Sequence, residues 1–307
     1  MDISIISINY NNSQLTLDFV QSIIKHTSTS ISYEIIIVDN CSEIEDFNNL
    51  KTILEKFKNQ IKIIRSNVNS GFGGGNMFGT QYASGKYLAF INNDIIFTED
   101  CLSSLKQFME NNSNTGVVTP QQLNRHNKPT SCFDYFHGIR KEIFGRWMVE
   151  LTSKKIKRET KFYKKIVCAD FIQGCFMFFD AQKFANVGGF DTNIFLYYEE
   201  MDICFRLKQK GYTSCLHPET TFVHLHGEST AKNYTTKKEL QLSKLYIIKK
   251  NNRYLKYSII RLFMLIKYLF KSVFNPKYWS LFSAILTSKY LENSLKHQQK
   301  IVFLNRP

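Results

Sequence analysis

Over the first hundred positions the apolar residues fall in short runs separated by longer stretches of mixed character. "ISIISI" (3–8), Ile-enriched, "YEIIIVD" (33–39), "IKIIRS" (61–66) and "KYLAFIN" (86–92) are apolar runs of strand length. Between them, residues 13–26 and 43–58 read as helices, with Ser13 placed to cap the first. A glycine-rich turn, "GFGGGNMFGTQYASG" (71–85), enters a third helix. Strand and helix in alternation predict βαβ units, hence an α/β, Rossmann-like fold with a mostly parallel sheet flanked by helices. Ligands of such sheets bind beyond the carboxyl ends of the strands, where Asp39 and Asp94 stand. The second of these ends is unusual. "FINNDIIF" (90–97) reads as a buried strand yet carries two amides and a carboxylate, and buried polar groups are costly without partners. Asp94 either caps the next helix or is held at the sheet's edge to bind something cationic.

Further along, residues 130–168 show no clear period, and "KKIKRETKFYKK" (154–165) is a solvated charge run, read as a loop or flap. "FIQGCFMFFD" (171–180) is a strand, "VGGFD" (187–191) a turn, residues 198–210 a helix stopped by Gly211, and "TTFVHLH" (220–226) a further strand. From about residue 236 the chain is helical. Lys249, Lys250, Arg253, Lys256, Arg261, Lys267 and Lys271 fall within roughly 140° of one face of a helical wheel, the remainder being largely apolar. This is the pattern of a basic amphipathic helix at a membrane surface. A surface helix packed on the body is the plainer alternative. The expected division is 1–230 for the α/β body and 231–307 for the basic helical region.

Charge sharpens that division. The net charge of +14 belongs to the end of the chain: residues 1–229 hold 24 basic and 24 acidic side chains, residues 230–307 hold 16 basic and 2 acidic. An anionic partner surface is implied, membrane or nucleic acid. No aromatic stacking motif of the nucleic-acid-binding kind accompanies the charge. The most apolar stretch, 258–274, is interrupted by Arg261, Lys267 and Lys271, so it is a poor spanning helix. The seven cysteines are scattered without a CxxC pair, which predicts reduced thiols in a cytosolic protein rather than zinc sites. The first residues lack the basic segment of a signal peptide and read as a strand.

Several residues carry candidate chemistry. Gly71, Gly73, Gly74 and Gly75 match neither the dinucleotide-binding fingerprint nor a Walker loop. They do permit close backbone approach to a ligand at a helix N-terminus; a purely structural turn is the alternative. Asp39, Asp94, Asp191, Glu199, Glu200 and Asp202 form an oxygen-rich set suited to Mg²⁺ or Mn²⁺. Taken singly, the helix-start acids are equally readable as dipole partners, and Asp202 as a partner of Arg206 four residues on. His224 and His226 face the same way on a strand and are read either as structural or as metal ligands.

In order along residues 3–230, "SIISINYNNSQLTLDFVQSI", "EIIIVDNCS", "NVNSGFGGGNMFG", "FINNDIIF", "GGFDTNIFLYYEEMDICFRLKQKGY" and "HLHGEST" resemble the motifs of family-2 glycosyltransferases of the GT-A fold, in particular the bacterial rhamnosyltransferase-like members. The resemblance implies an inverting transfer of a sugar from a nucleotide-diphosphate donor, dTDP-rhamnose or a UDP-hexose, to a saccharide acceptor. The acceptor is expected to be lipid-linked, and the setting the assembly of bacterial surface polysaccharide. It implies donor contacts from Asn9, Asp39, Gly71, Gly74, Asn76, Asn92 and Asn93, a divalent cation on Asp94 and His224 (which fits the motif better than His226), and Glu200 as the general base. Asp191 and Glu199 are expected on the substrate side. Two departures stand out: Glu199-Glu200 replaces the usual Glu-Asp, and Asn92 replaces the first Asp of a strict DXD motif. The enzyme is then expected in the cytoplasm, peripheral on the inner face of the cell membrane, with no nucleic acid as partner. A nucleotidyltransferase is disfavoured because "NYNNSQ" after the first strand has neither glycine nor positive charge for a triphosphate.

Overall fold

The computed structural model describes residues 1–152, 155–225 and 233–303. In chain order its elements are β1 (Ile3–Asn9), α1 (Ser13–His26), β2 (Tyr33–Asp39), α2 (Ile44–Leu54), β3 (Ile61–Arg65), α3 (Gly71–Thr80), β4 (Tyr87–Ile91), β5 (Ile95–Phe97), α4 (Cys101–Asn111), β6 (Thr115–Leu123), β7 (Phe133–Asp134), α5 (Ile139–Phe144), α6 (Arg146–Thr152), β8 (Val167–Ala169), β9 (Phe171–Ile172), β10 (Phe176–Asp180), α7 (Ala181–Asn186), α8 (Glu199–Gln209), β11 (Thr213–His224), α9 (Tyr234–Asn251), α10 (Tyr254–Phe274) and α11 (Trp279–Thr287).

The main sheet runs β3-β2-β1-β4-β10-β6-β11-β5, with β8 pairing β11. Strands β3, β2, β1 and β4 are parallel, as are β6 and β11, while β10 runs antiparallel between the two groups. The pleat explains the continuous apolar runs. Ile3, Ile5, Ile35 and Ile37 point into one layer against Phe19, Leu50, Leu102 and Leu105. Ile6, Ile36, Val38 and Phe90 point into the other against Phe184, Met201 and Leu207. Both faces of the central strands are thus covered by helices. α3 lies against β1 and β2, and an added Cβ at Gly79 would come within 2.6 Å of Ile6 Cγ2.

Several expectations are corrected. Ser13 is not a cap but the first residue of α1, and its N–H donates to Asp46 Oδ1 at 3.0 Å. The second helix ends at Leu54 and continues only as a 3₁₀ turn, Glu55–Phe57. The glycine-rich stretch belongs to the helix, which starts at Gly71 itself. Segment 171–180 is two strands, interrupted at Gln173–Cys175. β11 starts at Thr213, well before the expected residue 220, because the ladder passes Pro218 through a register shift between His217 and Thr221. The patternless 130–168 stretch contains β7, α5, α6 and β8. Cys168 and Cys215 are not free thiols: they oppose each other across β8 and β11 and are joined by a disulfide. The other five cysteines are unpaired.

The C-terminal region differs most from its expected form. Among its described residues it forms α9, α10 and α11, with extended backbone at Asn252 between the first two, so the seven wheel positions do not share one face. α10 turns Tyr257, Ile260, Met264 and Tyr268 inward onto Leu245, Leu281 and Ile285. Its outward face is largely apolar, exposing Leu255, Leu262, Ile266, Phe270 and Val273. Several of the basic groups face the protein: Lys250 bonds Asp191 and Asp202, Lys244 bonds Glu142, and Arg261 donates to the carbonyls of Ile285 and Leu286. No helix among the described residues is long and apolar enough to cross a membrane. The expected boundary at 230/231 lies outside the described residues.

Asp202 is the electrostatic joint of this packing. Fully buried, it accepts from Arg206 at 2.7 Å, Lys250 at 2.9 Å and Asn251 at 3.1 Å. Replacing it by alanine leaves two cations facing each other. Asp202→Ala is expected to lower stability by about 3–5 kcal/mol, measured by urea denaturation; a loss below 1 kcal/mol would show that the joint carries little.

Candidate active site

Two adjoining cavities open at the carboxyl end of the parallel strands. One, of about 310 Å³, is walled by Tyr10 and Asn12 after β1, Asn40 after β2, Asn69, Gly71 and Asn76 around α3, and Asn92 and Asn93 after β4. Thr236 and Leu295 of the C-terminal region close it. Among the described residues its polar lining is amide and hydroxyl, with no charged side chain. The other, of about 600 Å³, is lined by Asp134, Lys141, Arg146, Arg158, Gly174, Glu199, Glu200 and His224 among others. Phe72, Asn92 and Leu196 line both.

The Asn-Asn-Asp turn answers the question its sequence raises. α4 is capped by Asp100, whose Oδ1 accepts from the Ser103 N–H at 3.0 Å, so Asp94 is not the cap. Asp94 is fully buried, and its Oδ1 meets His224 Nε2 at 3.2 Å. The pairing follows from register: β5 and β11 set Ile95 opposite His224, and Leu225 N–H donates to the Asp94 carbonyl at 3.0 Å. Gln122 Nε2 lies 3.1 Å from His224 Nδ1 and fixes the ring. Burial opposes protonation of His224, but neighbouring Cys175 and Asp94 outweigh it and lift the imidazole to about 10. The pair suits a divalent cation by its chemistry, one carboxylate oxygen and one imidazole nitrogen meeting at hydrogen-bond distance. Among the described residues no group of three or more His, Cys, Asp or Glu side chains gathers as a cage. Two protein ligands match a cation whose remaining positions are filled by substrate phosphates. Cation and proton would compete for Nε2. His226 lies outside the described residues.

Backbone strain sets the position of the two glutamates. Tyr197 and Tyr198 both have positive φ, at 74° and 72°, a conformation that costs on the order of 1–3 kcal/mol for each non-glycine residue. They turn the chain sharply so that α8 begins with Glu199 and Glu200 at the cavity wall. Glu200 sits over Gly174, where an added Cβ would lie 3.6 Å from its Oε2. Burial at this wall, with the nearby Asp134 charge, pushes its carboxyl up to about 7. Glu199 turns inward and packs its Cγ toward Gly73. It is 2% exposed and its Oε1 has no partner among the described residues. Burial, then the Glu200 charge, raises it well above the ordinary value of 4.5, which favours the neutral acid.

The remaining expected residues divide. Asn92, Asn93, Asn76 and Gly71 line the amide-walled cavity. Gly71 requires its residue type: φ is +75°, and an added Cβ would fall 1.9 Å from the Phe195 carbonyl oxygen. Gly74 faces the Ser70 side chain and not the cavity. Asn9 and Asp39 lie beneath the wall, both fully buried. Asp39 is engaged by Asn9 Nδ2 at 3.1 Å and Arg65 Nε at 3.5 Å. A relay runs from Asn93 Nδ2 through Thr16 Oγ1 (2.9 Å) to Asn9 Oδ1 (2.9 Å), tying this buried set to the cavity lining. Asp191 is not brought into either cavity: Tyr246 donates to its Oδ2 at 2.9 Å and Lys250 at 2.8 Å. Sequence reading missed Tyr10, Asn12, Asn40 and Asn69, which were findable as polar residues just past predicted strands. It missed Gln122, Thr236 and Leu295, for which no local signal exists.

Comparison with known proteins agrees with this architecture. The model described as glycosyl transferase family 2 matches residues 4–182. Rhamnosyltransferase WbbL of Escherichia coli K12 is 28% identical over 68% of this chain and 78% of its own length. The low-salt glycan biosynthesis hexosyltransferase Agl10 of Haloferax volcanii is 24% identical over 68% of this chain and 62% of its own. Among solved structures, residues 1–349 of S. aureus TarS in complex with UDP-GlcNAc superpose with a TM-score of 0.58 at 12% identity, covering 96% of this chain and 85% of that one. GalNAc-T7 with UDP, GalNAc and Mn²⁺ gives 0.60 at 16% identity, covering 81% of this chain and about half, 48%, of that one.

The buried Glu199 has a measurable signature. The unfolded carboxyl ionises above 4.5 while the folded one is raised well above that value, so the native protein loses stability as pH rises from the unfolded value toward the folded one. Glu199→Gln removes this term. The variant is expected to gain on the native protein by up to about 1.4 kcal/mol per pH unit above 4.5, read from denaturation at pH 5, 6, 7 and 8. A gap that does not grow with pH would mean Glu199 is ionised in the fold.

Proposed function

The chain belongs to glycosyl transferase family 2, and on that premise we propose that it moves a sugar, with inversion at the anomeric carbon, from a nucleotide-diphosphate donor to a saccharide hydroxyl. The observation that carries this reading is the pair of adjoining cavities, one lined with amides and the other with Glu200 and His224, the latter backed by the buried Asp94. The amide-lined cavity suits a nucleotide, whose base and ribose offer donors and acceptors without charge. Tyr10, Asn40, Asn76 and Asn93 are the contacts, with Asn9 and Asp39 acting from behind the wall.

The donor's diphosphate belongs at the junction, beside Asn92 and the Asp94–His224 pair. Asp94 and His224 would hold a Mg²⁺ or Mn²⁺ ion, which when bound supplies charge neutralisation for the departing diphosphate. Glu200 accepts the proton of the attacking hydroxyl. The acceptor oxygen forms its bond to the anomeric carbon as the bond from that carbon to the phosphate oxygen breaks, the electron pair leaving with the nucleoside diphosphate. A carboxyl lifted to about 7 is a stronger base than an ordinary glutamate and still partly ionised at neutral pH.

dTDP-rhamnose and UDP-hexoses are the donor classes, and the acceptor is a lipid-linked saccharide of bacterial surface polysaccharide. The enzyme works from the cytoplasmic side, peripheral to the inner face of the membrane. This is supported by the apolar outward face of α10, flanked by Lys256, Lys267 and Lys271, which combines buried-area and charge terms for an anionic lipid surface.

Glu200→Gln is expected to lower kcat by about 10²–10⁴ with donor affinity retained, and to abolish an acidic limb in the rate profile. In the native enzyme that limb falls tenfold per unit below about pH 7, since the base must be ionised. A variant retaining more than a third of the native rate would exclude Glu200 as base. Deleting the C-terminal region would also remove Thr236 and Leu295 from the cavity, so point changes test membrane contact more cleanly. The double variant Leu262→Glu, Phe270→Glu is expected to leave the fold intact and lose flotation with vesicles containing anionic lipid. Unchanged flotation would rule out α10 as the contact.

A further inference from the structure

The larger cavity holds three cations around one carboxylate. Lys141 Nζ lies 3.0 Å from Asp134 Oδ1, while Arg146 Nη2 and Arg158 Nη1 lie 3.2 and 3.1 Å from Oδ2. The next carboxylate, Glu142, is occupied by His137 and Lys244. Of the other acids among the described lining residues, Glu199 is buried and packed toward Gly73, and Glu200 lies at the base position of the proposed reaction. Positive charge is therefore in excess on the side built by β7, α5, α6 and the 155–166 segment. These elements correspond to no periodic pattern in the sequence, and neither the fold nor the proposed chemistry of Glu200 requires three cations there.

We infer that Lys141, Arg146 and Arg158 form a subsite for a phosphate group carried by the acceptor, next to the hydroxyl that is glycosylated. This rests on the proposed transferase reading and names the acceptor class within it. Three observations support it. First, location: the cluster shares its cavity with Glu200, close enough that the Asp134 charge acts on the Glu200 carboxyl, and none of the three cations lines the amide-walled cavity. Second, chemistry: two guanidinium forks and an ammonium are the donor set that recognises phosphate oxygens bidentately, whereas a neutral sugar requires no net charge. Third, preorganisation: Asp134 already holds all three groups in one place, and Arg158 also bonds Ser131, so little ordering remains when an anion arrives. The phosphate could belong to a lipid diphosphate or to a phosphodiester polymer. α5 packs against α10, which sets the subsite beside the element with the exposed apolar face.

The test is a set of titrations on the full chain by calorimetry, with native protein, Arg146→Gln, Arg158→Gln, their double variant and Arg158→Lys. The probes are UDP with Mn²⁺, dodecyl diphosphate, a glycerol-phosphate oligomer and, as the uncharged control, octyl glucoside. Native protein should bind at least one phosphate probe at least tenfold more tightly than octyl glucoside. Each Arg→Gln change should weaken that probe by about tenfold or more, the scale of one lost charge-assisted hydrogen bond. Arg158→Lys should fall between, since it keeps charge but loses the fork. UDP affinity should stay constant across the series, which also shows that the variants are folded. Preference for dodecyl diphosphate assigns the lipid source; preference for the oligomer assigns the polymer. The inference is overturned if no phosphate probe is preferred, or if UDP weakens in step, which would assign the cluster to the donor. Absence of binding by native protein to both UDP and dTDP, titrated in the same way with Mn²⁺, is a separate outcome, and it removes the transferase reading on which the inference stands.

Discussion

The site is built around carboxylates buried at the end of a sheet, and an isolated buried charge is among the most unfavourable features a fold can hold. This chain meets that constraint differently at each position. Asp39 is surrounded by Asn9, Ser42 and Arg65. Asp94 is set against the imidazole of His224. Asp202 is shared by Arg206, Lys250 and Asn251. Glu199 has its carboxyl raised well above 4.5 by burial, which favours the uncharged form. Glu200 is intermediate, half relieved and facing the cleft. A carboxyl whose charge is neither fully compensated nor fully suppressed is the one able to exchange a proton near neutral pH.

The same constraint links the C-terminal region to the body. Asp191 and Asp202 both take Lys250 of α9, and Glu142 takes Lys244. The helices are therefore part of the site's walls as well as its surroundings: Thr236 and Leu295 close one cavity and Leu240 lines the other. Ser243 Oγ donates to the Leu196 carbonyl at 2.8 Å, beside the strained Tyr197–Tyr198 turn that delivers the two glutamates. A surplus of basic residues that looks in sequence like one surface feature is divided between internal pairing and an outward margin.

Much of the α/β body was legible because its strands obey short-range rules. Continuous apolar runs at β1, β2 and β4 must be buried on both faces, and burial on both faces requires helices between them. The residues around Asn92-Asn93-Asp94 were legible as an anomaly, polar groups in an apolar run. What they partner was not, since His224 lies 130 positions away in the chain and arrives by the pairing of β5 with β11. Local rules failed for identifiable reasons elsewhere. Pro218 hid the first half of β11, Gly174 and its neighbours split an apparently continuous strand, and extended backbone at Asn252 broke an apparently continuous helix. The Cys168–Cys215 pair depends on β8, a three-residue strand with no periodic signal of its own.

Sequence by itself determined the layered body, the order of its strands' carboxyl-end residues and the motif set that marks the family. These follow from hydrophobic period and local residue type, which act over a few positions. Tertiary structure alone decided which carboxylates face the cleft. Asp39, Asp94 and Asp191 look equivalent to Glu200 along the chain, yet they are enclosed by Arg65, by His224 and by Lys250 with Tyr246. It also decided that Lys141, Arg146 and Arg158 share one aspartate. The physical reason is the same in each case. Charge, solvation and proton affinity are set by neighbours within a few ångströms in space, and those neighbours come from segments whose separation in sequence carries no information about their meeting.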